Sequence, residues 1–473
     1  MDFNINNFPA MSMLLFAVLA CAETLLRRPK QVLERSDTVT VVFTLVTGSI
    51  ALEFFTRILP PFRPYAFADD WVFALPLKFT SAREWVTWAF AQHVDHRIPI
   101  QKLSSFLILR ASGFDFRYVV AVNYLMGIGI TATLLYVAGV YRGRLRAGDL
   151  IIPFAVLNYG VGYSQWGFQF QFVSSVFFMS LFVFLTVRYT RSAKNCYLIS
   201  AAIALLADSL CGMNGLLFAT VSTVAMLVWL AFPRASPRNA PALAAFAAVL
   251  LIDVVIWLAW TPSAASAVGA FDIREFIRYM YSLIPSVLGV FSFKHISWKF
   301  LTVTLLLVAA LTICLRQLKN RSLTLQDFVL ALAALTSLLV MLSVAVGRSK
   351  AQGEWNVVIA MHYGFMSVFM PVCSWIIVSK WIPERASSTI GVLLAVIFYL
   401  AFVDNADWRY GVVNSSALQQ EEVIKAMQSG TDAKVLADTY VKNFTVDSPQ
   451  NRLDVANGIT AFRAVGAALY GGK

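Results

Sequence analysis

Charge is what this chain has least of. Only 14% of its 473 residues are charged and 59% are hydrophobic, against about 25% charged in an ordinary soluble domain, so a solvent-facing globular fold is excluded. Histidine occurs four times, at His93, His96, His295 and His362. Five cysteines, Cys21, Cys196, Cys211, Cys314 and Cys373, stand singly and nearly all in apolar segments. That scatter spells out neither a disulfide framework nor a CxxC metal site, and it leaves the cysteines as packing residues. No G-x-x-x-x-G-K-[ST] loop and no two-halves repeat occurs, which argues against a nucleotide-driven engine. The opening MDFNINNFPAMSMLLFAVLACAETLLRR has no basic segment ahead of its apolar run and carries its arginines behind it. That is the reverse of a signal peptide, so the segment is expected to stay in the protein.

What the chain has in abundance is apolar runs. Its mean hydropathy is +0.68, and about twelve segments meet or approach the roughly twenty-residue length that spans a bilayer. Their cores are Pro9–Leu26, Val39–Leu59, Phe116–Val140, Leu150–Tyr163, Phe170–Val187, Tyr197–Leu210, Leu216–Phe232, Ala242–Trp260, Phe300–Leu315, Phe328–Val346, Phe365–Val378 and Ile390–Val403. The expected fold is all-α: a polytopic transmembrane domain over 1–403 with a long first loop containing interfacial helices, and a small helical tail over 404–473. The net charge of +12 is accounted for by cationic loops and anionic lipid, and a nucleic-acid partner is discarded.

The short loops set the orientation. Arg27, Arg28, Lys30 and Arg35 share a side with Arg142, Arg144 and Arg146, with Arg188, Arg191 and Lys194, and with Lys380 and Arg385. The alternate connections near Trp166 and Gly212 carry no cation. Positive-inside logic puts the cationic side in the cytoplasm. The Pro60–Lys102 loop and the tail then face out, which for a bacterial inner membrane means the periplasm.

Within the 60–115 loop, three prolines (Pro60, Pro61, Pro64) forbid regular helix before Asp69 and Asp70, so the acidic pair is presented on irregular backbone. One of the pair is a candidate general base, since acceptor activation needs a positioned proton sink; the competing role is Asp70 as the cap of a short helix from Trp71. Ser81 and Glu84 form a capping box that starts a helix to about Gln92, delivering His93, Asp95, His96 and Arg97. This cluster reads as an anion site, as a site for a divalent cation, the one cofactor candidate, or as a solvated turn. Gln165-Trp-Gly-Phe-Gln-Phe-Gln171 alternates aromatic and amide groups, giving Trp166, Gln169 and Gln171 as sugar contacts or as an interfacial aromatic belt. Arg348 and Lys350, followed by His362 and Tyr363, are either a second anion site or cations snorkelling to headgroups. Asp253 lies inside its segment and is expected to have a structural partner, with no further intramembrane acid beside it. Glu53 and Arg57, like Glu23 and Arg27, have ion-pair spacing. In the tail, Ser416 to Gln419 reads as a second capping box and Gly430 as a stop.

Taken together, the acidic pair Asp69–Asp70, HVDHRIPIQK, WGFQFQF, CGMNGLL and the GRSKAQG to MHYG region resemble the multi-spanning, lipid-phosphate-sugar-dependent glycosyltransferases of the C superfamily (GT-C), in particular a bacterial branch. The resemblance covers about three quarters of the chain. It implies an inverting transfer from a polyprenyl-phosphate sugar to a cell-envelope glycan or lipid acceptor. One of Asp69 and Asp70 is then the base, and Arg97, Arg348, Lys350 and His96 ligate donor phosphate. His93, Asp95, Trp166, Gln169, Gln171, His362 and Tyr363 contact sugar or acceptor. The rival is a transporter or flippase for a lipid-linked sugar, which should carry polar residues near the bilayer midplane.

Overall fold

The computed structural model describes residues 32–161, 166–231, 239–261, 271–289, 296–349 and 363–472. They are helical throughout, and among them no strand forms beyond a single bridge between His93 and His96. Ten of the expected apolar cores appear as helices where the sequence puts them; the Leu150–Tyr163 core is helical only to Val156, and Pro9–Leu26, like Glu23 and Arg27, lies outside the described residues. Nine described helices are long and apolar enough to cross a membrane, and Ala147–Val156 and Asn195–Ser209 are shorter apolar helices. At the helical rise those two reach at most about 25 Å, short of the roughly 30 Å hydrocarbon layer. The chain is therefore a polytopic helical protein with nine candidate spans among its described residues; the about twelve expected also include Pro9–Leu26, outside them, and the two shorter helices.

In chain order, α1 (Val32–Glu53) ends in a π-turn and α2 (Ala82–Phe90) and α3 (Pro99–Ala111) fill the first loop. Then come α4 (Arg117–Arg142), the short α5 (Ile151–Val156), α6 (Phe170–Ser192), α7 (Asn195–Ser209), α8 (Met213–Ala231) and α9 (Ala240–Leu258). An amphipathic α10 (Ile273–Leu283) precedes α11 (Ile296–Lys319), α12 (Leu325–Arg348), α13 (Phe369–Trp381) and α14 (Glu384–Gln428). The tail adds α15 (Ala433–Thr439), α16 (Val441–Phe444) and α17 (Pro449–Ala464). The α13 segment is central, 89% buried against 22% for α9, and it packs between α11 and α12.

Local chemistry explains the boundaries. Ser81 accepts from the Glu84 amide while Glu84 accepts from the Ser81 amide, so the expected capping box starts α2, which stops at Phe90 rather than Gln92. Thr324 and Asp327 do the same for α12. Gly430 follows the last turn of α14 with φ +80°, a conformation glycine enters freely. The Ser416–Gln419 box does not form: Ser416 lies inside the 45-residue α14, its hydroxyl donating back to the Val412 carbonyl. No proline or glycine separates Val412 from Gln428, and Val423 and Met427 give the continuing helix an apolar face.

One end of the bundle is cationic and closed. Arg142 and Asp149 form an ion pair with side chains 1% and 0% exposed. Trp375 Nε1 donates to Asp149 at 3.0 Å, and Arg146 donates to Ser379 and Ser387. Tyr141 donates to Asp327, which also has Lys380 at 4.0 Å. Glu53, near the other end, is held by Tyr410 and Tyr159. Asp253 has the structural partners expected, Ser209 at 2.5 Å and Thr220 at 3.3 Å. Contrary to expectation, a second buried acid accompanies it: Asp208, on the adjacent α7, accepts from Ser175 at 2.7 Å.

The opposite end carries a second core shared by the first loop and the tail. Tyr65, Trp71, Phe73 and Trp88 pack with Val423, Met427, Phe444, Phe462 and Tyr470. Trp71 Nε1 donates to the Phe444 carbonyl at 3.3 Å, and the Ala66 amide donates to Tyr470 Oη at 3.0 Å. Gly458 is required there, because a Cβ on it would lie 2.3 Å from the Trp71 ring.

Candidate functional site

The acidic pair sits on a 3-10 helix, Ala68–Lys78, that begins earlier than Trp71. Phe67, not Asp70, is its N-cap residue; Asp70 is buried in the third helical position and reaches back to it, Oδ2 accepting from the Phe67 amide and from Trp166 Nε1, both at 3.1 Å. Burial pushes its carboxyl up to about 8, against those two hydrogen bonds, so it is largely protonated at neutral pH. Asp69 points the other way. Its side chain is 45% exposed, and Oδ1 lies 3.7 Å from His93 Nε2. Neighbouring side chains diverge as expected, and the environment separates them into one pillar and one accessible carboxylate.

His93 and His96 close a tight turn, each backbone amide donating to the other's carbonyl at 2.7 and 2.8 Å. Val94 inside it has φ +50°, and Ala68 before Asp69 has φ +51°. Such values are uncommon for residues with a side chain, and a β-branched one is a clear outlier. Each costs on the order of 1–3 kcal/mol, and strain of this kind gathers where side-chain aim matters more than stability. The loop is also pinned on α9: Trp260 Nε1 donates to the Asp95 carbonyl at 3.0 Å. Arg97 donates to the Phe90 and Ala259 carbonyls at 2.7 and 2.6 Å. Arg97 is thus placed as a brace, with both terminal nitrogens already on backbone oxygens. Below it, the buried Lys102 donates to the Trp88 and Ala91 carbonyls, each at 2.7 Å, completing the C-terminus of α2. Desolvation lowers its ammonium to about 8.

A continuous series of contacts joins the five segments. Asp70 touches Trp166, whose ring stacks on Phe168 at 5.4 Å, and Phe168 faces His93 at 5.1 Å. His96 Nδ1 accepts from the Met213 amide of the CGMNG turn at 3.3 Å, and its ring meets Phe172 edge-on at 6.2 Å. Phe172 meets Tyr363 at 5.2 Å, and Tyr363 Oη accepts from Arg348 at 2.7 Å. Enclosure of the His96 ring lowers its pKa to about 4; Asp95 opposes that, and the Arg348 charge adds to it. Lys350 and His362 lie outside the described residues, as does Gln165.

This corner is lined with polar atoms that are buried and, among the described residues, lack a hydrogen-bond partner. They are the amide oxygens of Gln101, Gln169, Gln171 and Asn214, the Asn214 nitrogen, and Asp70 Oδ1. An orphan of this kind costs about 1–3 kcal/mol, so a cluster of them marks a place built for a polar occupant. Gly212, at φ +105°, lets the turn pass within reach of Gln171: a Cβ there would sit 3.0 Å from Gln171 Oε1. Among the described residues no three metal-ligating side chains converge. Sequence reasoning singled out neither Gln101, Lys102 and Asn214, although the HVDHRIPIQK and CGMNGLL segments contain them, nor Asp208, whose signal is an acid within an apolar run. Comparison with known protein families, with curated proteins and with solved structures returned no match.

Proposed function

We propose that this chain is an inverting membrane glycosyltransferase that moves a sugar from a polyprenyl-phosphate donor to a cell-envelope glycan or lipid acceptor on the extracytoplasmic face. The observation that carries this reading is the corner just described. An accessible carboxylate, a cation at the end of a span and a group of buried amides with no partner among the described residues lie near one series of contacts at the loop end of the bundle. Asp69 takes the proton of the acceptor hydroxyl as its oxygen attacks the anomeric carbon. The bond from that carbon to the phosphate oxygen breaks, and polyprenyl phosphate leaves with the electron pair, its charge met by Arg348. The amides of Gln169, Gln171 and Asn214 hold sugar hydroxyls, and Trp166 offers a stacking face. Asp70 and Arg97 act through others: one holds Trp166, the other ties the loop to α9.

The test supplies purified, reconstituted protein with acceptor and either a polyprenyl-phosphate sugar or the matching nucleotide sugar. Product from the lipid donor, lost in Asp69→Asn, is the expected result; product from the nucleotide sugar alone overturns it. One feature favours the rival transporter, the buried acids Asp208 and Asp253 on neighbouring helices. Transport of lipid-linked sugar across proteoliposomes without any new glycosidic bond, abolished by Asp253→Asn, would establish that reading instead.

A further inference from the structure

Away from this corner, toward the cationic end, a groove of 480 Å³ opens between α4, α6 and α7, lined by Ala132, Thr133, Tyr136, Phe184, Arg188 and Tyr197. Its inner wall is aromatic, with Tyr136 and Phe184 edge-on at 5.1 Å. Its head is cationic. Arg188 donates to Tyr136 Oη at 2.5 Å and to Tyr197 Oη at 3.3 Å, and both rings lie within cation–π distance, at 5.8 and 5.5 Å. At the same end Arg142 has Asp149, Arg144 has Glu384 and Lys380 has Asp327. Like Arg146 and Arg191 at this end, Arg188 has no carboxylate ion pair among the described residues; what separates it is that it donates to two tyrosine hydroxyls at the mouth of the groove. Two tyrosine hydroxyls fix the guanidinium at the mouth of an apolar groove without neutralising it.

We infer that this groove binds an anionic phospholipid, its phosphate on Arg188 and one acyl chain along Tyr136, Thr133 and Ala132. The chemistry is complementary at both ends. A guanidinium forks onto phosphate oxygens while its remaining edge keeps the tyrosines, and basic pockets between membrane helices on the cationic side suit anionic headgroups. The first turn of α7, which begins at Asn195 beside the groove, adds its positive end to the same place. A zwitterionic headgroup offers the phosphate but brings its own cation, and so competes poorly. The site is separate from the glycosyl-transfer corner and does not depend on that assignment.

The experiment uses the full chain in detergent, with retained lipid counted by native mass spectrometry after titration with dioleoyl phosphatidylglycerol or dioleoyl phosphatidylcholine. Wild-type protein should hold phosphatidylglycerol at least tenfold more tightly than phosphatidylcholine. Arg188→Gln should lose about that factor, the expectation for removing one charge-assisted hydrogen bond. Arg144→Gln, whose partner is the exposed Glu384, should leave retention unchanged. Thr133→Trp keeps the charge and fills the groove, so it should also lose the lipid, which keeps the inference testable if Arg188→Gln fails to fold. Equal retention by wild type and both groove variants, or equal affinity for the two lipids, would overturn it. So would displacement by glycerol phosphate at the lipid's own concentration, since the site would then read phosphate without tails.

Discussion

The two ends of the bundle handle buried polarity in opposite ways. At the cationic end Arg142, Arg146, Asp149, Trp375 and Ser379 close on one another, leaving Arg142 Nε and Arg146 Nε without a partner among the described residues. At the loop end, beside the strained turns around Ala68 and Val94, five amide and carboxyl groups carry atoms with no partner among the described residues. Buried charge that is paired is costly to make and costly to break; polar groups left open are costly at rest and are repaid only by an occupant. The first pattern is that of a joint in the scaffold, and the second is what the proposed site requires.

That contrast can be broken by exchanging its consequences. Asp69→Asn should lower transfer by about 10²- to 10⁴-fold, the range for removing a general base, with an unchanged melting temperature; wild-type turnover in this variant removes Asp69 from the site. Asp149→Asn should do the reverse, costing roughly 3–5 kcal/mol of stability by stranding Arg142, while turnover per folded molecule stays near wild type. A thermal melt alongside a single-turnover assay separates the two. Arg348→Ala should weaken apparent donor affinity by the equivalent of about 1.5–3 kcal/mol and leave turnover at saturating donor less affected. An unchanged donor titration counts against its contact with phosphate.

Smaller effects sharpen the same contrast. Asp70 binds its proton up to about pH 8 in the folded chain, well above its ordinary 3.8. Its contribution to stability is therefore complete below about pH 4 and is lost as pH rises through about 8. Asp70→Asn should flatten that part of the melting-temperature profile, and a wild-type slope in the variant would show that another group carries it. Tyr470→Phe removes the hydrogen bond from the Ala66 amide and should cost about 1 kcal/mol. Its more telling readout is faster proteolysis of the Pro60–Lys78 stretch, which equal cleavage rates would contradict.

The sequence made legible whatever is local or periodic. Most of the apolar segments, the Ser81–Glu84 box and the Gly430 stop are each written within a few turns of chain, and contacts through Trp166, Phe168 and Phe172 link Asp70, His93, His96 and Tyr363. Which acid is accessible was not legible, because it depends on Trp166 reaching Asp70 across 96 positions. The clasp between loop and tail was hidden for the same reason: Ala66 and Tyr470 are 404 positions apart. Ser416 shows the opposite failure, a correct local pattern overridden by a helix whose apolar face simply continues.

That helix has a mechanical consequence. Forty-five residues at the helical rise make a rod of about 67 Å, more than twice the hydrocarbon thickness of a bilayer. One end is seated beside Asp149 and the other carries the tail residues that grip Trp71 and Ala66. A rod of that length, seated at the cationic end and reaching toward the acidic turn, would convert bilayer thickness into position. Where the membrane is thinned or thickened, mismatch is relieved by tilt, and tilt at one end moves the tip sideways under the loop that holds Asp69. Under the proposed function, lipid thickness should therefore change turnover, and turnover compared in nanodiscs of short- and long-chain lipid, with donor saturating, tests this.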